Sequence, residues 1–340
     1  MGAPVAQAEE KRELTVMTQN VYLGSSLTPA LTATSGSTFV AAVAQIYGTM
    51  LFTNFPSRAG AIADTVAEQR PDLIGLQEVS RWVARPIKDG ATPPSQDFLA
   101  ILQDQLAARG LHYEVAAVSA NANIGPVPLV APGFECVTAS PVPDCTLTLH
   151  DRDVILVNTD TTNLEWANPQ EDSFTRQQSF QPPVGPAVSF DRGWTSIDGT
   201  FQDKRFRFVN THLEVEDFPA VQEAQAAEFL AGPANAPGAV VAVGDFNSAA
   251  DGSSTDSYAH LTEEWFKDAW SVNPDQAGLT CCQSATLTNP TSLRSRVDLI
   301  LTHAAVRARS AQVVGESPYQ NVTPLWASDH AGVVATLRLH

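Results

Sequence analysis

Asp245 and Asn247 stand two residues apart in Gly244-Asp245-Phe246-Asn247, where the apolar run Ala239 to Val243 ends. Side chains at i and i+2 of an extended chain share one face. A carboxylate and a carboxamide therefore point together into the space at the strand's mouth. An acceptor beside an amide that both donates and accepts suits the orientation of a water nucleophile against a phosphoryl group. Alone the tetrad has little specificity, because Asp and Asn after a strand usually make turns. Its weight comes from repetition. Asn20 ends the run from Leu14, Glu78 the run from Asp72, and His212 the run from Phe206. Asp298 sits inside Arg296-Val297-Asp298-Leu299-Ile300-Leu301, and Ser328-Asp329-His330 precedes the last apolar run. Strand ends are where a rigid scaffold presents functional groups. One such residue can be a satisfied core hydrogen-bonder. Six positions ending in amide, carboxylate or imidazole are poorly explained that way.

These residues need strands to carry them. Strands are expected over Leu14 to Leu23, Asp72 to Val79, Tyr113 to Val118, Val154 to Asn158, Ala239 to Phe246, Val297 to Thr302 and Gly332 to Leu339. Trp194 to Thr200 and Arg205 to His212 read as a hairpin around Gln202-Asp203-Lys204. Helical apolar spacing marks Arg58 to Gln69, stopped before Pro71, then Phe98 to Arg109, ended by Gly110, and Ala220 to Leu230. Asn121 to Leu147 is rich in Pro and Gly and reads as irregular. Strand-rich halves with interspersed helices imply packed sheets with helices outside. Residues 1–13 are expected to be a disordered leader and 14–340 one domain.

The pieces Gln19-Asn20, Leu76-Gln77-Glu78-Val79, Asn210-Thr211-His212-Leu213, Gly244-Asp245-Phe246-Asn247-Ser248, Arg296-Val297-Asp298 and Ser328-Asp329-His330 span nearly the whole chain. In this order they resemble the endonuclease/exonuclease/phosphatase superfamily of deoxyribonucleases, abasic-site endonucleases, inositol-phosphate 5-phosphatases and neutral sphingomyelinases. The resemblance implies a four-layer α/β/β/α sandwich, two packed mixed β-sheets flanked by helices. It implies Glu78 as principal ligand of Mg²⁺, with Mn²⁺ or Ca²⁺ as alternatives, and Asn20 and Asp329 beside it. It implies a catalytic set of His212, Asp245, Asn247, Asp298 and His330, with Asp298 bonded to His330 and either Asp245 or His330 as general base. His212 would take its support from a mid-chain carboxylate, for which Asp151 and Asp153 are the candidates. The bland alternative for that pair is a surface ion pair with Arg152.

Composition narrows the substrate less. A 340-residue chain with 44% hydrophobic residues has material for a large core. Its net charge of -17 argues against a broad basic surface for nucleic acid. It leaves room for a nuclease using metal and a few arginines, for which Arg58, Arg81, Arg85, Arg152, Arg294 and Arg296 are available. No run is long and apolar enough to be a transmembrane helix. Cys136 and Cys145 bracket a Pro-rich loop that a disulfide could staple, while adjacent Cys281 and Cys282 form a vicinal disulfide or stay thiols. With a start that reads as a mature chain, they favour secretion. The apolar Ile124 to Val130 could touch lipid, although a loop packed on the sandwich edge explains it more simply. Phe39, Ile46, Tyr47, Met50, Leu51 and Phe52 could line a cleft or pack as a helix. His112, His150 and His260 have no evident partners, and Asn321-Val322-Thr323 is a glycosylation sequon. The expectation is a secreted, monomeric Mg²⁺-dependent phosphoester hydrolase, with a phospholipid headgroup ester slightly favoured and peripheral membrane contact in that case. An extracellular nuclease and a non-catalytic binding protein are the alternatives, the second disfavoured by so many buried charges.

Overall fold

The computed structural model describes residues 13–86, 94–131, 145–320 and 325–340. Residues 1–12 of the expected leader, Cys136 and the Asn321 sequon lie outside these. Along the chain run β1 (Leu14–Asn20), α1 (Thr28–Leu31), α2 (Gly36–Phe52), α3 (Phe55–Gln69), β2 (Leu73–Gln77), β3 (Arg81–Pro86), β4 (Gln96–Asp97), α4 (Phe98–Ala107), β5 (Tyr113–Leu129) and β6 (Cys145–Asn158). They are followed by β7 (Leu164–Ser173), β8 (Gln178–Phe180), β9 (Val188–Phe190), β10 (Gly193–Phe201), β11 (Lys204–His212), α5 (Pro219–Ala231), β12 (Ala239–Asp245), α6 (Ser257–Glu264), β13 (Lys267–Asp268), β14 (Asp298–His303), β15 (Val306–Val314) and β16 (Gly332–Leu339).

Two large sheets result, one in the order β15-β16-β1-β2-β6-β3-β4 with β5 on β6, the other β13-β14-β12-β11-β10-β7. Each is mixed, with a single parallel pair: β1 with β2, and β11 with β12. Both faces of the central strands are buried, so neighbouring residues enter different cores. Val16, Leu73 and Ile155 meet Phe208, Val241 and Ile300 between the sheets. Their neighbours Met17, Ile74 and Leu156 face Ile46 and Met50 of α2, Ile62 of α3 and Leu102 of α4. On the other flank Val209, Val240 and Leu299 pack on Phe229 of α5 and Leu261 of α6. The four expected layers are therefore present.

Local chemistry explains several boundaries. Ser35 caps α2 through a capping box with Thr38, and Asp97 caps α4 by accepting from the N–H groups of Leu99 and Ala100. Pro56 lies in the first turn of α3, which begins before the expected Arg58. Phe39, Ile46, Tyr47 and Met50 are core residues of α2, whereas Phe52 is exposed. The described ends of the stretch 121–147 depart from expectation. β5 continues to Leu129 and pairs with β6 from Cys145 onward, Gly125 and Pro126 falling at a bulge while Pro128 keeps register with Thr146. Among the described residues no single helix is long and apolar enough to cross a membrane.

Candidate functional site

The carboxyl ends of the two parallel pairs open on the same side and carry the site. Asn20 is in register with Gln77, so Glu78 emerges beside it as β2 ends. His212 is in register with Asp245, and Asp245 with Asp298, which sets these three on adjacent strands. The two sheets are drawn together directly beneath. Asn210 donates through Nδ2 to the Leu76 carbonyl at 3.0 Å and accepts from Gln77 Nε2 at 2.7 Å. Gly75 permits that approach, since a Cβ there would lie 2.7 Å from Asn210 Oδ1 and collide with Val243.

Asp245 is the hub. Its Oδ2 accepts from Asn20 Nδ2 at 3.0 Å and its Oδ1 from the backbone N–H of Asn247 at 2.9 Å. The same Oδ2 lies 3.5 Å from His212 Nε2 and 3.7 Å from His330 Nε2. His330 Nδ1 meets Asp298 Oδ2 at 2.8 Å. Burial alone would keep His330 neutral, but Asp298, Asp245 and Asp329 outweigh it and raise its pKa well above the usual range. His212 is driven the other way. Burial, then the Arg192 guanidinium, then His330 hold its pKa well below normal, leaving a neutral imidazole. Burial lifts Asp245 to about 6 against the opposing pull of His330.

Glu78 and Asp329 line a second wall, in a cleft that also contains Tyr22, Arg192 and Glu214. Glu78 Oε2 accepts from the Leu23 N–H at 2.7 Å. Burial first, then Asp151, raises the Glu78 pKa, and burial lifts Asp329 to about 7, with Glu78 adding to it. Two carboxylates that disfavour each other's charge in one cleft fit a hard divalent cation, whose oxygen preference they match. Asp245, Asp298 and His330 also bring one ligand atom each within 4.8 Å of the others. Tyr22, Glu78 and Asn247 all have positive φ, at 61°, 58° and 50°, so the backbone is strained where the chain leaves each strand.

Asn20, His212, Asp245, Asn247, Asp298 and His330 thus lie together at the strand ends, and Glu78 and Asp329 line the cleft beside them. The support of His212 is arranged differently. Asp151, Asp153 and His212 approach one another within 4.8 Å. The groups nearest the ring, however, are two donors, Arg192 Nη1, 2.9 Å from Nδ1 and 3.1 Å from Nε2, and Asn247 Nδ2, 3.1 Å from Nε2, and a neutral ring accepts through one nitrogen alone. Asp151 instead accepts from Ser80 Oγ at 2.9 Å, and both Asp153 oxygens are buried without a hydrogen-bond partner. Neither carboxylate is a surface partner of Arg152, which pairs with Asp97 at 2.5 Å.

Arg192 and Glu214 are the site residues that sequence reasoning missed. Glu214 follows His212 at i+2, the same signal that singled out Asp245 and Asn247; Arg192 has no comparable signal. Several of the arginines offered for a groove are structural. Arg58 is fully buried and donates to the carbonyls of Val21, Tyr22, Thr53 and Ala327, tying the loop after β1 to the segment before Asp329. Arg296 pairs with Asp268 at 2.6 Å. Helix α5 clamps the other rim: Gln222 Nε2 donates to the carbonyls of Glu214 and Asn247, and Gln225 Oε1 accepts from the Glu214 N–H. His112, without an evident partner in sequence, pairs with Asp160 at 2.9 Å.

Solved structures with this fold include an endonuclease/exonuclease/phosphatase family protein from Leptotrichia buccalis, 15% identical over 96% of this chain and 100% of that one, at a TM-score of 0.59. D. rerio TDP2 complexed with single strand DNA product is 14% identical, covering 96% and 100%, at 0.57. A mannosyl-6-phosphatase from Bacteroides thetaiotaomicron is 18% identical, covering 95% and 99%, at 0.57. No curated protein sequence matches significantly. Residues 17–330 match the sequence profile of the Endonuclease/Exonuclease/phosphatase family, so this chain belongs to that family of metal-dependent phosphoester hydrolases.

Proposed function

We propose that this protein hydrolyses phosphodiesters with Mg²⁺, by in-line attack of a water on phosphorus. The observation that carries the proposal is the Asp245 carboxylate, held by Asn20 and the Asn247 N–H between two imidazoles of opposite protonation preference. Asp245 orients the attacking water and takes its proton, a role suited to a pKa of about 6. His330, kept protonated by Asp298, is a donor and charge for a phosphoryl oxygen rather than a base. Neutral His212 and the Asn247 carboxamide, which here contact each other and the Leu213 carbonyl, turn from those contacts to hold the remaining phosphoryl oxygens, and Arg192 adds a fixed positive charge at the cleft wall. Glu78 holds the cation, with Asn20 and Asp329 as its further contacts. When bound, that cation supplies neutralisation of charge on phosphate and leaving oxygen.

A phospholipid headgroup ester is the favoured substrate, since the net charge of -17 weakens attraction for a polyanion. DNA is the second reading, which the complex of D. rerio TDP2 with single strand DNA product supports by likeness of fold. Secretion belongs to the same proposal and rests on the cysteine usage of the sequence. The test is hydrolysis of sphingomyelin vesicles and plasmid DNA side by side, with Mg²⁺ and with EDTA. Phosphocholine release that EDTA abolishes, with intact plasmid, is expected; nicked plasmid with untouched lipid would select the nuclease. Glu78→Gln and His330→Ala should both fold and lose turnover, and wild-type rates in either would overturn the site.

A further inference from the structure

Beside the cleft lies a second, apolar pocket with a cavity volume of about 60 Å³, open to solvent at its mouth. Among the described residues every side chain lining it is apolar. Its floor is rigid: Phe39, Val43 and Ile46 of α2 and Leu147 and Leu149 of β6 are buried core residues. Its roof is the β8–β9 hairpin, a two-stranded sheet paired only with itself, which contributes Phe180 and Val188 and leads directly to Arg192.

The pocket and the cleft adjoin. Leu27, Leu31, Phe180 and Phe190 line both, while Glu78, Arg192 and Asp329 lie on the cleft side alone. Trp82, on the pocket wall, is joined to the cleft through one residue: its Nε1 donates to the Leu23 carbonyl at 2.8 Å, and the Leu23 N–H donates to Glu78 at 2.7 Å. The only polar atom of the Trp82 side chain is thus already satisfied, and no wall side chain offers a hydrogen bond to an occupant. A concave apolar surface of this kind favours an occupant that removes it from water and makes no polar demand. Its place beside the charged groups suits an occupant that also carries a phosphate.

We propose that this pocket is a substrate subsite for a linear alkyl chain attached to the phosphoester that the cleft holds. The assignment rests on the hydrolytic reading for the cleft and adds the chemistry of the group on the far side of the phosphate. A sugar or a nucleobase would leave its hydrogen-bonding groups unpaired against these walls.

Two measurements separate this proposal from the reading it rests on. Calorimetric titration of wild-type protein in Mg²⁺ with ethyl phosphate and with octyl phosphate reads the pocket without turnover. The octyl ester should bind at least about tenfold more tightly. Ala30→Trp fills the pocket from the half-exposed α1, and Val188→Asp places a charge in its roof; both should erase the preference and leave ethyl phosphate binding unchanged. Equal affinities in wild type, or a preference surviving in both variants, would overturn the subsite. Hydrolysis of methyl and octyl p-nitrophenyl phosphate is the second measurement, with kcat/KM expected to rise with chain length in wild type only. Absence of turnover on both esters beside an intact octyl preference would remove the hydrolytic reading and leave the pocket standing.

Discussion

The division of labour between the two buried histidines is decided by what touches each ring. His330 faces three carboxylates, of which Asp298 is in direct contact, whereas at His212 burial and the Arg192 guanidinium prevail although Asp245 lies 3.5 Å away. Two imidazoles near one aspartate therefore hold different protonation states at neutral pH, as groups that donate and accept in one reaction require. Asp298→Asn tests this. The amide cannot supply the charge that holds the proton on His330, so the ring would lose it at lower pH. kcat/KM on a chromogenic phosphodiester should fall by about 10²–10⁴-fold, and the alkaline limb of its pH profile should move down. A variant with reduced rate and an unmoved limb would mean that Asp298 only shapes the pocket.

At the scale of the elements, close approach of the sheets sets the position of the strand mouths. Gly75 is the point where β2 passes nearest to Asn210 and Val243 of the opposite sheet. Gly75→Val should destabilise the fold by about 1–3 kcal/mol through overpacking and lower activity as well, because Glu78 lies three residues on. Gly48 is exposed within α2, and a Cβ added there would meet no atom within 4 Å. Gly48→Ala should therefore stabilise by about 0.5–1 kcal/mol with activity unchanged. Urea unfolding of the two variants measures both. Similar midpoints would show that the inter-sheet contact is softer than its distances imply. The clamps by Arg58 and α5 belong to this scale too: they hold loops whose backbone is strained at Tyr22 and Asn247.

For the whole molecule, the concentration of acidic groups makes stability depend on both pH and metal. Burial raises Asp245 to about 6 and Asp329 to about 7, against ordinary values of 3.8, and pushes Glu78 and Asp153 upward. Groups raised in the folded state bind protons more tightly there than in the unfolded chain. Their ionisation therefore lowers stability as pH rises from about 4 to about 7. The raised His330 extends the fall above its ordinary 6.5, while the lowered His212 opposes it below 6.5. In EDTA, Tm should decline over that window, and Mg²⁺ should flatten the decline by favouring the charged carboxylates. Identical slopes with and without Mg²⁺ would remove the cation from this cluster. The net charge of -17 also acts at this scale. Rates on DNA, if cleaved, should hold or rise between about 20 and 200 mM salt as repulsion is screened. A steep fall would show that a local basic track dominates.

Much of the site is legible in the sequence because strands that are buried on both faces leave few places for charge. Asn20, Glu78, His212, Asp245, Asp298 and His330 stand out against apolar runs, and each is near a strand end where the run breaks. The layered architecture follows from the same runs. What periodicity could not reveal were contacts made across long separations. Arg192 reaches His212 from the end of the β8–β9 hairpin, and Arg58 reaches a carbonyl 269 residues away only because Ala327 folds back beside Val21 and Tyr22. The continuation of β5 through its Pro and Gly residues was hidden too, since pairing with β6 overrides local turn preference. Sequence by itself determined which polar groups stand where the apolar runs break and the layers that carry them. The tertiary structure alone decided which charged groups surround each histidine and where the apolar pocket opens, because electrostatic and packing energies depend on distance in space.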